Sequence, residues 1–167
     1  NWQLHAAYLN HGLRVEADHE AHFVAEVAGA WEWGCTIERA DVRLLAEQPG
    51  VSIEEAARQL RYAFLARTAR RLGAGFVAVG HNANDQAETV LMHLLRGSGR
   101  AGLRGMSPSI PLDELQLSAL SSDQRPDCSG LLLIRPWLET LRRDILAYGD
   151  ANGLAPRSDA TNDDTTY

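Results

Sequence analysis

Apolar positions along the chain fall into short runs and helical stripes that alternate with one another. Leu4 to Leu9 predicts a strand that empties into the turn Asn10-His11-Gly12. Residues 18–33 place Phe23, Val24, Val27 and Trp31 at helical spacing. Cys35 to Val42 predicts a second strand. Ser52-x-x-Glu55 is a capping-box sequence that opens a long helix. Ile53, Ala56, Leu60 and Phe64 form its expected inner stripe, and Gly73 its C-cap. Phe76–Val79 predicts a third, buried strand, with a helix from about Asp85 to Leu95 behind it. Residues 107–130, rich in Ser, Pro and Asp, read as a surface excursion. Leu131–Ile134 predicts a short fourth strand, followed by a helix from about Leu138 to Ala151 that stops at Asn152-Gly153. The polar tail from Asp159 to Tyr167 reads as irregular.

Alternating strands and helices, with continuous apolar strands, predict an α/β fold: a doubly wound parallel sheet with flanking helices. A length of 167 residues suits a single domain spanning 1–167 with a core of its own. No internal repeat is visible.

Composition adds exclusions. The apolar fraction of 45% and charged fraction of 23% are those of an ordinary globular chain. No apolar run approaches the roughly 20 residues of a membrane span. The opening Asn1-Trp2-Gln3-Leu4-His5 lacks the basic start and apolar core of a signal peptide, and the two widely separated cysteines point to a cytoplasmic location. Cys35 and Cys128 form no C-x-x-C, which argues against a zinc site or a dithiol centre. His19 and His22 stand at i, i+3 with no third ligand evident, so no metal site is assigned. All 16 basic residues are Arg. Any phosphate contact must therefore use guanidinium groups, which suit bidentate binding. The net charge of −6 argues against this chain alone gripping RNA.

The densest candidate chemistry lies at residues 80–106. His81, Asn82, Asn84, Asp85 and Glu88 crowd the end of the third predicted strand, where ligands sit in open α/β sheets. Asp85 and Glu88 stand at i, i+3 and share a helix face. Asp85 has two readings. It caps the helix N-terminus, where a carboxylate is favoured. Alternatively it faces the crevice and binds or deprotonates an amine. Arg96-Gly-Ser-Gly99 is either a glycine C-cap or a loop presenting Arg96 to phosphate or RNA. Asn10-His11-Gly12-Leu13-Arg14 is either an ordinary turn or a set of donors around a close backbone approach. Arg58, Arg61 and Tyr62 fall within one helical turn, as a polar edge or as a solvated face salted by Glu54 and Glu55. Arg135, just after a strand, is a candidate for substrate contact.

Gly80 to Met106 resembles the pattern G-H-x-x-[DN]-D-Q-x-E-T…R-G-[ST]-G-x-x-G-L-x-x-M of the tRNA(Ile)-lysidine synthetases, in the PP-loop (N-type) ATP pyrophosphatase superfamily. Further matches extend over most of the chain. Asn10–Arg14 looks like that family's V-N-H-G-L-R turn, and residues 54–65 like its E-A-A-R-x-x-R-Y-x-F-L helix. Residues 135–145 are similar to R-P-L-L-x-x-x-R-x-E-I, with Asp144 for the usual Glu. Residues 159–167 are similar to D-x-[ST]-N-x-D-x-x-[YF]. Asn82 departs from the usual His. The family's S-G-G-x-D-S pyrophosphate loop and R-N-x-x-R segment do not occur, so the chain reads as the middle of a catalytic domain.

The resemblance implies an adenine-nucleotide α-hydrolase-like fold using ATP and Mg²⁺. It implies ligation of L-lysine to C2 of the wobble cytidine in tRNA(Ile) with a CAU anticodon, through an adenylated cytidine. Asp85 and Glu88 take the catalytic roles. Asn10, His11, Gly12, Arg14, Gly80 and His81 border the nucleotide, and Arg58, Arg61, Tyr62, Arg96 and Arg135 meet tRNA or substrate. A homodimer is expected, and no membrane partner. Two alternatives stay open: another PP-loop enzyme of tRNA thiolation or amidotransferase type, and a noncatalytic nucleotide-binding module.

Overall fold

The computed structural model describes residues 2–13, 17–97 and 102–154. Arg14, residues 98–101 (with the glycine-serine loop after Arg96) and the 159–167 segment lie outside them. By contact the chain divides into two compact units, Asn1–Val77 with Ile110–Leu133, and Ala78–Ser109 with Ile134–Tyr167.

In the first unit, β1 (His5–Asn10) pairs in parallel with β2 (Gly34–Arg39), in register from His5↔Gly34 to Asn10↔Arg39. The connection is α1 (Ala17–Ala30), which contacts both strands and buries Ala17 and Ala28. Its larger apolar residues are less covered than their spacing predicts: Val27 and Trp31 are exposed. Small side chains let the helix approach the strands closely, leaving the wide ones at the rim. The second strand also ends earlier than expected. Asp41 accepts a hydrogen bond from the Leu44 N–H and opens a short helix, α2 (Val42–Ala46). An N-cap outweighs the strand preference of Val42.

α3 (Ile53–Leu72) starts where the sequence says, with the Ser52 hydroxyl accepting from the Glu55 N–H. It ends at Gly73 in the left-handed conformation that glycine tolerates. Ala56 and Phe64 of the expected stripe are fully buried and Leu60 is half-buried, but Ile53 is exposed. Ile53 sits in the first turn, beyond the reach of the core.

The core of this unit joins Val42, Leu45, Ala56 and Ala63 to Ala119 and Leu120. The 107–130 segment is therefore not a surface excursion throughout: Leu112, Ala119, Leu120 and Cys128 are all buried. Its Ser, Pro and Asp residues occupy the exposed turns between those anchors. Gln59 is 2% exposed, and its Oε1 accepts from the Ala119 N–H. Arg70 clamps the far end, donating to the Asp127 carbonyl, Ser129 Oγ and the Ser129 carbonyl.

A second sheet has the order β3–β5–β4, from β3 (Phe76–Ala78), β5 (Leu132–Ile134) and β4 (Ser109–Pro111). Leu132 N donates to the Gly75 carbonyl and Val79 N to the Ile134 carbonyl, the slanted pattern of a parallel pair. Leu112 N donates to the Leu131 carbonyl and Arg135 N to the Pro108 carbonyl, which makes β4 antiparallel. This added strand was not visible in the sequence. It is short and ends at Pro111, a residue restricted to sheet edges.

The second unit carries α4 (Ala83–Leu95) and α5 (Arg142–Ala151). α5 begins later than Leu138, because residues 136–140 form a turn in which Thr140 N donates to the Trp137 carbonyl. The Thr140 carbonyl in turn accepts from Ala83 N and so holds the start of α4.

Candidate functional site

Sequence-predicted residues lie in both units, and each unit forms a cluster of its own. In the first, Asn10 is the last residue of β1 and is 4% exposed. Its Nδ2 donates to Asp18 Oδ1 at 2.6 Å, and its Oδ1 accepts from the Gly12 N–H at 2.8 Å. The side chain thus shapes the turn, in which Gly12 has a φ of +65°. His11 projects from that turn with its Nδ1 buried and without a hydrogen-bond partner. Burial pulls the imidazole below its ordinary value of 6.5, and the nearby Arg61 guanidinium adds to this against the opposing charge of Glu20. A neutral histidine with an orphaned nitrogen is a binding-ready group, because a buried polar atom is costly until something pairs with it. Beside it, burial and a 2.6 Å hydrogen bond to Glu20 push the Tyr8 phenol far up.

α3 places Arg58, Arg61 and Tyr62 together but not equivalently. Arg58 donates to both carboxylate oxygens of Glu55 at 2.8 Å, and Glu55 also accepts from Gln59 at 2.7 Å. That pairing holds the Glu55 carboxyl down and the Arg58 guanidinium up. Arg61 is exposed and has no carboxylate partner among the described residues. The Tyr62 ring is 3% exposed and lies under both guanidinium groups, at 5.9 Å and 5.8 Å from its centroid. Tyr62 reaches a ligand only through the arginines it supports. Of the two arginines, only Arg58 is engaged by a carboxylate among the described residues.

In the second unit, β3 leads through Gly80 and His81 into α4. Asn82 is the N-cap: its Oδ1 accepts from Asn84 N at 2.8 Å and Asp85 N at 3.3 Å. Asp85 Oδ2 returns the bond, accepting from Asn82 N at 2.8 Å. This reciprocal capping box is the role of position 82, and the spacing Asn82-x-x-Asp85 was its signal. Asp85 keeps its second oxygen, Oδ1, without a hydrogen-bond partner among the described residues. The capping reading of this carboxylate holds through Oδ2. Glu88, one turn on, is exposed.

Asn84 and Gln86 also matter here, and the sequence reading did not single out Gln86. Asn84 Oδ1 accepts from Arg142 N at 3.0 Å. The Gln86 amide grips the Met106 backbone both ways, donating to its carbonyl at 2.9 Å and accepting from its N–H at 2.7 Å. Arg135 is 8% exposed, with Nε donating to His81 Nδ1 at 3.2 Å and Nη1 to the Ser107 carbonyl at 2.7 Å. It also lines an open cavity of about 430 Å³ with Pro108, Ile134, Pro136, Leu138 and Glu139. Arg96 is the exposed C-cap of α4.

Among the described residues, no three His, Cys, Asp or Glu side chains converge on a cation site. Mg²⁺ in such a site takes its ligands mainly from substrate phosphates and one or two carboxylates. No described helix is long and apolar enough to cross a membrane.

Comparison with known proteins agrees with this picture. The PP-loop domain profile matches residues 1–167. The chain is 46% identical over 160 residues to a tRNA(Ile)-lysidine synthase of Symbiobacterium thermophilum, covering 95% of this chain and 30% of that protein. It is 40% identical over 162 residues to one of Dehalococcoides mccartyi, covering 96% and 32%. A third, from a Bradyrhizobium species, is 40% identical over 165 residues, covering 99% and 40%. The chain thus spans between about a third and two fifths of these relatives' length. A U34-tRNA thiolase from Methanococcus maripaludis, solved with its [4Fe-4S] cluster, superimposes with a TM-score of 0.66 at 15% identity. That overlap covers 93% of this chain and 49% of the thiolase and shows a shared fold.

Proposed function

Because the chain belongs to the PP-loop domain family, we propose that it works as the catalytic domain of a tRNA(Ile)-lysidine synthetase. The reaction has two halves. The C2 oxygen of the wobble cytidine attacks the α-phosphorus of ATP and pyrophosphate leaves. The lysine ε-nitrogen then attacks C2, and the C–O bond to AMP breaks. The substrate is tRNA(Ile) with a CAU anticodon, whose single-stranded loop can splay its bases for recognition. L-Lysine is the second substrate, and the cytoplasm the place of action.

One observation carries the assignment of chemistry: Asp85 is fixed by its Oδ2 in the capping box while its Oδ1 stays unpaired. The lysine ammonium must lose a proton before its nitrogen can attack, and in this reading Asp85 Oδ1 accepts it. Glu88 shares the helix face and orients the same ammonium. In the first unit, His11 and Arg61 are the donors offered to the nucleotide, with Gly12 allowing close backbone approach. Mg²⁺, when bound with ATP, would neutralise phosphate charge.

The thiolation reading finds less support. Cys35 and Cys128 are both free thiols, and burial with nearby Asp127 pushes the Cys128 thiol up, away from the reactive thiolate.

Nucleoside mass spectrometry tests the proposal. Unmodified tRNA(Ile) with a CAU anticodon is incubated with ATP, Mg²⁺ and lysine, using the full gene product beside the isolated chain. Lysidine from the full gene product, lost in its Asp85→Ala variant, is the expected result. A folded gene product that consumes no ATP and forms no lysidine overturns it.

A further inference from the structure

We infer that Arg135 is a positioning residue that fixes His81 in the tautomer carrying its proton on Nε2. Arginine has donors and no acceptor, so the 3.2 Å contact from Arg135 Nε makes His81 Nδ1 the acceptor. A neutral imidazole with an accepting Nδ1 carries its hydrogen on Nε2. The imidazolium form would place a proton on Nδ1, opposite the guanidinium N–H, and lose the contact.

The guanidinium is itself held in place. Nη1 donates to the Ser107 carbonyl at 2.7 Å, and the Arg135 N–H donates to the Pro108 carbonyl at 2.8 Å. Two neighbouring strand ends bring the pair together, since Val79 N donates to the Ile134 carbonyl just before each residue. Arg135 is 8% exposed and has no acidic partner among the described residues. The two groups its guanidinium donates to among the described residues, His81 Nδ1 and the Ser107 carbonyl, are uncharged acceptors. That arrangement is poor for neutralising charge and well suited to orienting a ring. In this tautomer Nε2 is a donor, whose complement is an oxygen acceptor such as a phosphate or carbonyl.

The link to nucleotide binding rests on the proposed function and on the expectation that His81 borders the nucleotide; the tautomer itself does not. The test labels the six histidines with ¹⁵N and assigns His81 by the signal missing from His81→Ala. Long-range ¹⁵N–¹H correlations in the wild-type chain are expected to show the Nε2–H pattern near neutral pH. Arg135→Met should shift His81 towards a mixture of tautomers and leave the other histidines alone. An Nδ1–H pattern in the wild type overturns the inference without any variant, so a misfolded Arg135→Met cannot shelter it. An unchanged His81 spectrum in folded Arg135→Met overturns it as well.

ATP titration supplies the second arm. Arg135→Met is expected to weaken ATP binding about tenfold, the loss of one charge-assisted hydrogen bond. In a His81→Ala background the same change should cost nothing further, because Arg135 acts through His81. Additive losses would show that Arg135 touches the nucleotide directly and overturn its positioning role. The Nε2–H pattern together with ATP that leaves His81 unmoved supports the Arg135–His81 coupling and sinks the nucleotide reading instead.

Discussion

Asn82 and Asp85 cap each other: the Asn82 N–H donates to Asp85 Oδ2 at 2.8 Å while the Asp85 N–H donates to Asn82 Oδ1 at 3.3 Å. The exchange satisfies two of the orphan donors at the start of α4 and fixes the carboxylate in one orientation.

Structure and chemistry at this cap can therefore be separated. Asn82→Ala should cost about 1 kcal/mol of stability, the usual loss for an N-cap. Asp85→Asn keeps an oxygen that accepts the Asn82 N–H but cannot take a proton from an ammonium. It should hold its denaturation midpoint near wild type while lysidine formation in the full gene product falls at least a hundredfold, the low end for a lost general base. Urea melts beside single-turnover assays decide this. Equal activity in wild type and Asp85→Asn would remove the base role.

Arg58 and Arg61 should part company on mutation. Arg58 is spent on Glu55, a pair about a third exposed, so Arg58→Ala should cost about 0.5–1 kcal/mol after allowing for solvent screening. Arg61→Ala breaks no ion pair and should leave stability within about 0.5 kcal/mol. Its effect is expected in ATP affinity, weaker by about tenfold for a lost charge-assisted contact. Calorimetric titration and thermal melts of the two variants give the four numbers needed.

His11 should make the fold sensitive to mild acid. Its folded pKa lies below the ordinary 6.5, mainly through burial and then through Arg61. Between those two values the unfolded chain binds more protons than the folded one, so stability falls as pH drops below about 6.5. Above that range His11 is neutral in both states and contributes no slope. Urea midpoints from pH 7.5 down to pH 5 should decline more steeply in the wild type than in His11→Gln. Parallel curves would contradict the assignment.

Gly105 and Gln86 form a tight fit. Gly105 has a φ of +63°, and a Cβ there would stand 2.7 Å from Gln86 Oε1. Gly105→Ala should destabilise by about 1–2 kcal/mol through backbone strain and loss of the amide clamp on Met106. Gln86→Leu should remove the clamp alone. Hydrogen exchange at the Met106 amide is the direct readout: protected in the wild type, fast in both variants.

Local signals carried much of the fold in advance. Ser52, Gly73 and the apolar runs around Leu9, Val77 and Leu133 mark elements whose physics is contained in a few neighbouring residues. The Asp85–Glu88 pair and the Arg58–Tyr62 turn were legible for the same reason, since helical spacing alone puts them on shared faces. What the spacing left open was which partner each group would take. Glu55 claims Arg58, Asn82 claims one oxygen of Asp85, and Arg135 reaches back 54 positions to His81.

Tertiary structure alone decided the 107–130 segment. Its polar composition suggests a loop on the surface, yet Leu112 and Leu120 are almost wholly buried and Ser109–Pro111 adds an antiparallel strand. Burial of an isolated leucine depends on what lies opposite it, and strand pairing depends on hydrogen bonds to distant residues. Neither leaves a periodic trace in a short stretch of chain. The sequence by itself determined the order of the main strands and helices, apart from α2 and β4, and the residues capable of chemistry. Which of those residues hold one another became visible only in three dimensions, because a side chain's partner depends on rotamer and on segments such as Arg135 and His81 that are far apart in sequence.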